Sequence, residues 1–340
     1  MRFPLGLTTT LASYIARKKM AGERYVPLVL MLEPLFACNL TCTGCGRIRE
    51  YEHLKARQLS VEDCLGAARE CAAPVVSVCG GEPLIHPHIE HITAELIRMR
   101  RYVYLCTNGT LLAQSIDKFT PSSRLLFNVH IDGPAEVHDM IVQRDGAYLS
   151  AFKGIQAAAA HGFQVTVNTT IYKQTDMRQI DEVMTALEEI GVKCFMLSPA
   201  YSYASVDDRE SFMSRDNIAE KFAGIDAMAA RHCLADSPVY LDFLKGNRDL
   251  RCTAWGNPTR NPAGWRSPCY LIADRHYASY RDLIANTDWE YYGAGRDPRC
   301  RDCMVHCGYE PTVALMVNKR KGDLYKMIKW QMSGKVAANK

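Results

Sequence analysis

Three closely spaced cysteines constrain this chain more than any other feature of its sequence. Cys38, Cys42 and Cys45 have the spacing C-x3-C-x2-C and follow a mostly apolar run, residues 28–36. Three thiolates on one tight loop can hold three irons of a [4Fe–4S] cluster and leave the fourth iron open. Because a site with four cysteines would be closed, this spacing predicts an iron–sulfur site that binds a small molecule.

A zinc knuckle and a set of buried thiols are the alternatives. A structural zinc site needs a fourth cysteine or histidine at short range. The nearest downstream residues of these types, His53 and Cys64, lie in a different local pattern. A non-catalytic, zinc-stabilised binding protein is therefore the alternative from another class. Colour distinguishes the two, since an iron–sulfur protein purified without oxygen is brown and a zinc protein is colourless.

The composition predicts a large core in a reducing compartment. The chain has 340 residues, 48% of them hydrophobic, and 14 cysteines. We find no run of ~18 consecutive apolar residues, the length of a membrane span, and no signal peptide at the N-terminus. Cysteines in such a chain indicate metal or redox chemistry instead of disulfides, and a cytoplasmic protein. The net charge of +4 does not indicate nucleic-acid binding.

Short apolar runs alternate with amphipathic segments from residue 28 onward. The runs are rich in Val, Ile, Leu and aromatic residues, which predicts buried strands, and the segments between them predict helices. Six such β/α units in series predict a parallel sheet, either doubly wound or closed into a partial barrel. In both folds ligands bind at the carboxyl ends of the strands. The predicted strands are residues 28–35, 75–79, 103–107, 125–131, 165–171 and 194–198.

Glycines and polar residues at these strand ends are candidate ligands. Gly80, Gly81 and Glu82 follow the second strand, where two glycines let the backbone approach a ligand and bind an ammonium or carboxylate group. Cys106 lies near the end of the third strand, and its S–H bond is weak enough to donate a hydrogen atom to a carbon radical. An ordinary turn and a small core thiol are the alternatives. The candidates farther along the chain are Asn128, Asp132, Arg144, Asn168 and Ser198.

The cysteine spacing and the run Gly80-Gly-Glu-Pro83 together resemble the radical S-adenosylmethionine (SAM) superfamily. The resemblance covers about residues 25–200 and implies a partial (β/α)6 barrel. It also implies that the open iron chelates the methionine end of SAM, whose reductive cleavage gives a 5′-deoxyadenosyl radical. Gly44 departs from the pattern, since many members have an aromatic residue there. The implied SAM contacts are Gly80, Gly81 and Glu82 at the amino group, Asn128 and Asp132 near the ribose and methionine, Arg144 at the carboxylate, and Asn168 and Ser198.

Further segments resemble one branch, the adenosylhopane synthases of bacterial hopanoid biosynthesis. That family adds the 5′-deoxyadenosyl radical to the terminal alkene of a pentacyclic hopene, and Cys106 matches the position expected to quench the product radical. The resemblance implies a hydrophobic polycyclic alkene and a reductant such as flavodoxin or ferredoxin. Residues 107–110 and 200–204 depart from the family, so another alkene, or a peptide or small molecule, remains an alternative substrate. The matching segments are residues 27–36, 105–108, 130–133, 255–260 and 303–309.

A second group of cysteines lies in the loop-rich stretch 252–307. Its spacing, C-x16-C and then C-x2-C-x3-C, suits a second [4Fe–4S] cluster or a zinc ion, and structural thiols are the alternative. We predict a barrel over 25–200, followed by a helix and a cysteine-rich module over 201–317. The other thiols, among them Cys194 and Cys233, are predicted to be core residues. The cysteines of the second group are Cys252, Cys269, Cys300, Cys303 and Cys307.

Both termini are basic and amphipathic. Residues 1–24 and 318–340 combine several Lys and Arg residues with apolar ones, among them Met327, Ile328 and Trp330. A solvated surface helix is the simpler interpretation. A peripheral contact with the inner face of a membrane is the more specific one, and it suits a substrate that is insoluble in water.

Overall fold

Six parallel strands form the centre of the protein in the computed structural model, which describes residues 4–317 and 319–333. Each strand pairs in parallel with the next one along the chain. This sequential order excludes the doubly wound alternative, in which the order reverses at a switch point. Because β1 and β6 lie apart in the sheet order, the barrel is partial. The strands are β1 (Val29–Leu32), β2 (Val75–Val78), β3 (Tyr102–Thr107), β4 (Leu125–His130), β5 (Gln164–Ile171) and β6 (Cys194–Pro199).

Helices connect these strands as predicted. Ser60 and Asp63 form a complete capping box at the start of α3, and Gly162 and Gly191 follow α7 and α8 with φ of +80° and +104°. Such φ values suit glycine, which has no Cβ to clash with the preceding turn. The helices before β6 are α1 (Leu5–Met20), α2 (Gly46–Glu50), α3 (Val61–Cys71), α4 (Ile89–Arg98), α5 (Leu112–Ser115), α6 (Ala135–Val142), α7 (Ala147–Ala160) and α8 (Met177–Glu189).

Three further strands correct the prediction that residues 252–307 are mostly loop. β7 (Thr259–Asn261) pairs in parallel with β1, and β8 (Gly264–Pro268) and β9 (Ala273–Tyr277) continue the sheet in antiparallel pairing. These strands are short and carry buried polar residues such as Asn261 and Arg266. They therefore lack the apolar pattern by which strands are recognised in a sequence.

The C-terminal helices surround this extension of the sheet. The helix predicted after the barrel is divided into two: the first begins at Arg215, after the capping residue Ser214, and Gly224 separates it from the second. The division of the chain at residue 200 stays a prediction, since β7 joins the same sheet as β1. These helices are α9 (Arg215–Phe222), α10 (Ile225–Arg231), α11 (Pro238–Leu244), α12 (Tyr280–Asn286), α13 (His306–Ala314) and α14 (Asp323–Met332).

Cys194 and Cys233 form a disulfide, so the expectation that both are free core thiols is wrong. Cys194 begins β6, and Phe195 forms a bridge with Leu234 from the segment after α10. This pairing brings the two Cα atoms to 4.7 Å, a separation that a disulfide can span.

The N-terminal helix covers the amino ends of the strands. Leu7 packs with Val75 and Tyr102, the first residues of β2 and β3. The carboxyl ends are left to the loops that carry the candidate site. No described helix is long and apolar enough to cross a membrane. Of the predicted terminal segments 1–24 and 318–340, residues 1–3, 318 and 334–340 lie outside the described residues.

Candidate active site

The three cysteines of the first group lie on the loop between β1 and α2. Cys45 is the N-cap of α2, while Cys38 and Cys42 pack against a cluster formed by Leu40, Val142 and Ala147. A backbone hydrogen bond from the Thr43 N–H to the carbonyl of Ile141, 2.9 Å long, ties this loop to the last turn of α6. The loop therefore lies at the carboxyl ends of the strands, where ligands of such folds bind.

The chemistry of this loop fits an iron–sulfur cluster. Burial raises the pKa of the Cys38 thiol to about 11 and also raises the pKa values of Cys42 and Cys45. The free thiols are therefore protonated at neutral pH, and iron binding releases their protons. No three His, Cys, Asp or Glu side chains among the described residues meet at the distance of a single metal ion. A cluster does not require this, since each thiolate binds a different iron.

Gly80 and Gly81 are required by the close approach of the cysteine loop. A Cβ on Gly81 would lie 1.9 Å from the carbonyl oxygen of Ala37, and Gly80 has φ of +111°. The N–H of Gly81 donates to the carbonyl of Leu35, and the N–H of Glu82 to that of Ala37. Within the described residues nothing donates to the carbonyl oxygens of Gly80 and Gly81. These two oxygens are thus the groups available to an ammonium ligand.

The Glu82 carboxylate joins the ends of β2 and β3. It is 1% exposed and accepts hydrogen bonds from the Thr107 hydroxyl at 2.6 Å, the Asn108 N–H at 2.8 Å and the Leu84 N–H at 3.0 Å. Burial raises the pKa of Glu82, although these donors oppose the shift. Since both oxygens have partners inside the protein, Glu82 orders the glycine turn and does not present a free oxygen to a ligand.

Asp132 belongs to a buried network at the ends of β4 and β5. It accepts hydrogen bonds from the Thr170 N–H and the His130 ring, both at 2.7 Å, and Asn168 contacts the other ring nitrogen of His130 at 3.3 Å. Burial disfavours the charged ring, but the Asp132 carboxylate outweighs it and raises the pKa of His130. The Asn168 Oδ1 atom is buried without a hydrogen-bond partner among the described residues, as expected for an atom reserved for a ligand. Sequence reasoning missed His130, although it stands between two residues that were singled out.

The remaining predicted SAM contacts lie in different surroundings. Arg144 is exposed on the segment between α6 and α7 that borders the cysteine loop, and its guanidinium contacts no described residue through a hydrogen bond. Ser198 is buried at the end of β6, on the face of the sheet shared with its β5 partner Thr170. Arg144 is thus free to pair with a carboxylate, whereas Ser198 lies deeper in the protein.

Cys106 stands in a ladder of polar side chains that crosses four strands inside the barrel. Its Sγ atom lies 3.3 Å from the Ser77 hydroxyl and accepts a hydrogen bond from the Asn128 amide at 3.7 Å. The Thr166 hydroxyl donates to Asn128 at 3.0 Å and so fixes the amide. Burial raises the pKa of Cys106, which keeps the thiol protonated. The thiol and Asn128 thus meet inside the barrel, and the cofactor contact of Asn128 stays a prediction.

Tyr172 fills the space beside Gly44, the position where an aromatic residue was expected. A Cβ on Gly44 would lie 2.3 Å from the Tyr172 hydroxyl oxygen. Tyr172 follows β5, and burial raises its pKa well above the ordinary value, with the nearby Asp132, Cys42 and Cys45 adding to the shift. An aromatic ring therefore borders the cysteine loop after all, from a different strand. Only the missing side chain at Gly44 hinted at it in the sequence.

The five cysteines of the second group line one cavity. Gly308 makes room for them, since a Cβ there would lie 2.6 Å from the Cys252 Sγ atom. Burial raises the pKa of Cys300 to about 11 and that of Cys303 to about 12, so these thiols are also protonated when free. The cavity is lined by Cys252, Cys269, Cys300, Cys303 and Cys307, together with Tyr201, Tyr270 and Tyr309.

Aromatic side chains and an arginine connect the two cysteine groups. The Tyr203 ring packs closely on Gly46, next to Cys45. A Cβ on Gly46 would lie 2.2 Å from the ring, so this position has no room for a side chain. The same ring belongs to an apolar cluster with Cys307. Arg47 donates to the carbonyl of Tyr270 at 3.0 Å and pairs with the buried Glu33. The second group therefore packs directly behind the first.

The sequence of the barrel matches a known family. Residues 32–198 match the model of the radical SAM superfamily, and residues 195–327 match a domain of unknown function, DUF3463. Together with the cysteine loop, the glycine turn and the partial barrel, this match assigns residues 32–198 to the radical SAM superfamily. The family uses a [4Fe–4S] cluster and SAM, and the three thiols and the two free carbonyl oxygens described above fit these groups. The match favours iron over the zinc alternative.

Curated relatives and solved structures cover different parts of the chain. The AdoMet-dependent heme synthase of Methanosarcina barkeri is 29% identical over 52% of this chain and 51% of its own length. The subtilosin biosynthesis protein AlbA of Bacillus subtilis is 28% identical over 55% of this chain and 41% of its own length. The chain thus spans about half the length of these relatives, or less.

Two solved structures share the fold over nearly the whole chain. Streptococcus suis SuiB bound to S-adenosylmethionine has a TM-score of 0.65 and 14% identity, and it covers 92% of this chain and 79% of its own. Native anSMEcpe with bound AdoMet and the Cp18Cys peptide has a TM-score of 0.61 and 14% identity, over 90% and 97%. At such identity the likeness shows the fold alone, and it confirms the predicted radical SAM architecture.

Proposed function

We propose that this protein is a radical SAM enzyme that adds the 5′-deoxyadenosyl radical to the alkene of a polycyclic triterpene, as adenosylhopane synthases do. The cluster and SAM, when bound, supply the adenosyl radical after one electron has been delivered. Cys38, Cys42 and Cys45 hold the cluster in this proposal. The carbonyl oxygens of Gly80 and Gly81 accept the SAM ammonium, and Arg144 pairs with the SAM carboxylate.

The position of Cys106 is the observation that carries the proposal. Addition of a radical to a terminal alkene leaves a carbon radical that must receive a hydrogen atom. Cys106 offers a protonated thiol on the interior face of the barrel, where the Asn128 amide and the Ser77 hydroxyl hold its sulfur atom. A thiolate could not donate a hydrogen atom, and burial opposes its formation by raising the pKa.

The partners follow from this chemistry. A pentacyclic alkene is insoluble in water, so the proposal includes a peripheral membrane contact from which the substrate is taken. It also includes a reductant such as flavodoxin or ferredoxin, because SAM cleavage consumes an electron. Asn128 and Ser198 stay further proposed SAM contacts. Two others, Asn168 and Asp132, lie in one hydrogen-bonded network with His130, which orients the unpartnered Asn168 oxygen.

Product analysis tests the proposal. We expect anaerobic protein with SAM, a reductant and hopene to form a covalent adenosyl–hopane adduct, detected by mass spectrometry, in amounts that follow SAM consumption. The matched control is a polycyclic triterpene alcohol that lacks the terminal alkene, and it should give only 5′-deoxyadenosine. Accumulation of 5′-deoxyadenosine without any adduct in both reactions would contradict the hopene proposal and leave SAM cleavage standing.

We further propose that the second cysteine group binds metal. Five thiols around one cavity exceed what a buried core needs, and Gly308 clears the space beside Cys252. If the metal is a second [4Fe–4S] cluster, anaerobically reconstituted protein should hold about eight irons per chain, against about four for the first cluster alone. Cys300→Ala with Cys303→Ala should lower the iron content to the smaller value, whereas Cys64→Ala should not. The smaller value in the parent, without zinc, would leave these thiols structural.

A second candidate function is the modification of a peptide. The curated relative AlbA is described as a bacteriocin biosynthesis protein, and a second metal site behind the first would suit an oxidation. In that case the peptide substrate would lose hydrogen and SAM would yield 5′-deoxyadenosine, without an adenosyl adduct. The same mass-spectrometric assay, which follows adduct and 5′-deoxyadenosine separately, distinguishes the two.

A further inference from the structure

Helix α14 turns a stripe of large apolar side chains toward solvent. Leu324, Tyr325, Ile328 and Met332 are 58%, 70%, 51% and 71% exposed, and among the described residues no other element carries more than two such side chains. With 3.6 residues per turn, the four lie within an arc of about 100° on the helix. A surface helix of a globular protein normally turns this stripe to the core. The stripe is therefore available to a partner.

The opposite side of α14 is attached to the protein. Asp323 forms a buried ion pair with Arg248 at 2.9 Å, and Lys326 pairs with Asp242 at 2.9 Å. Met327 packs against the hydrophobic core, so the tail residue Met327 faces inward and its neighbour Ile328 faces outward. These contacts fix the rotation of the helix, and the apolar stripe cannot turn inward without breaking them.

The surroundings of the stripe are positively charged. Lys319, Arg320 and Lys321 are exposed just before the helix, and Lys329 is exposed beside the stripe. The helix contains one acidic residue, Asp323, which Arg248 neutralises. An apolar stripe bordered by cations is complementary to an anionic phospholipid surface, in which acyl chains lie beneath phosphate groups.

A second copy of this chain fits the stripe less well. Most homodimers are two-fold symmetric, so each patch meets an identical patch. The cations that border the stripe, Lys319, Arg320, Lys321 and Lys329, would then be brought close to an identical set of cations, and like charges repel. A lipid surface has no such conflict.

We propose that α14 is an interfacial helix that docks on anionic membranes, with Leu324, Tyr325, Ile328 and Met332 at the boundary between headgroups and acyl chains. Helix α14 is thus the surface that makes the membrane contact included in the proposed function. The evidence for this docking is the geometry of α14 alone. Failure of the hopene assay therefore leaves it standing, and failure of docking leaves SAM cleavage unaffected, since α14 contributes no residue to the site.

Vesicle flotation tests this docking. We expect the full chain to float with vesicles of phosphatidylcholine and phosphatidylglycerol and to stay unbound with phosphatidylcholine alone. Leu324→Ser with Ile328→Ser should weaken binding at least about tenfold, because buried apolar groups drive insertion. The matched control is Leu149→Ser with Tyr291→Ser, two residues of similar exposure, 55% and 51%, elsewhere on the surface; it should bind like the parent.

A charge variant and a size measurement complete the test. Lys321→Glu with Lys329→Glu leaves the stripe intact and should also lose binding to anionic vesicles, and 5′-deoxyadenosine formation should be unchanged in every variant. Equal flotation of the stripe variant and the parent, or no flotation of the parent, would overturn the proposal. So would a parent that is dimeric by light scattering and becomes monomeric in the stripe variant without a change in vesicle binding.

Discussion

Cys42→Ala is expected to abolish SAM cleavage. The loop offers three thiolates for three irons, so the loss of one leaves an iron without a protein ligand. Removing a residue that only supports a metal ligand lowers activity up to about 100-fold. Cys42 is itself a proposed ligand, so formation of 5′-deoxyadenosine should fall by more than this. The visible absorption of the first cluster should decrease together with its iron content. Both are measured on anaerobically reconstituted protein.

Cys64→Ala is the matched control for this change. Cys64 is a fully buried thiol of α3, remote from the loop in sequence, and its loss should reduce stability slightly while cleavage continues. Cys38→Ala and Cys45→Ala should behave like Cys42→Ala. If Cys42→Ala retained its iron and cleaved SAM at the parent rate, the assignment of this loop to the radical cluster would be wrong.

Cys106→Ala is expected to change the product and leave SAM cleavage intact. Radical formation requires the cluster, SAM and an electron, none of which involves Cys106. Addition to the alkene should also proceed, because it gives a more substituted carbon radical. Without a hydrogen donor, that radical should lose a proton to water and an electron to the oxidised form of the flavodoxin or ferredoxin, so the main product should carry one more double bond than the saturated adduct. Mass spectrometry of the adduct measures the ratio of the two.

Solvent deuterium provides an independent measurement of the same step. A thiol proton exchanges with water, so the parent in deuterated buffer should place one deuterium in the saturated adduct. Cys79 is the rival donor, since it directly follows β2, is 6% exposed and lies near Cys106. The Cys79 thiol contacts the hydroxyl of Tyr270, a residue of the C-terminal segment. This contact holds the Cys79 thiol toward that segment. If Cys79→Ala lost the saturated adduct while Cys106→Ala retained it, the donor would be Cys79.

The sequence by itself determined the six parallel strands and the cysteine loop, and its resemblance to a known superfamily implied the partial barrel. Buried parallel strands consist of unbroken apolar runs, so six of them could be located within one to three residues of their observed ends. The three cysteines proposed as cluster ligands lie within one short loop, so their spacing alone pointed to them. Gly80 and Gly81 were recognised for the same reason, because a close backbone approach admits only glycine.

Only the tertiary structure decided which distant residues meet. Cys252 and Cys307 share a cavity because β7 pairs with β1 and places the C-terminal segment behind the cysteine loop. Tyr172 reaches Gly44 from the end of β5, and the disulfide of Cys194 depends on a bridge beside β6. Such contacts depend on strand register and on the packing of segments far apart in the chain. Local spacing and periodicity contain no information about either, which is why the sequence left them open.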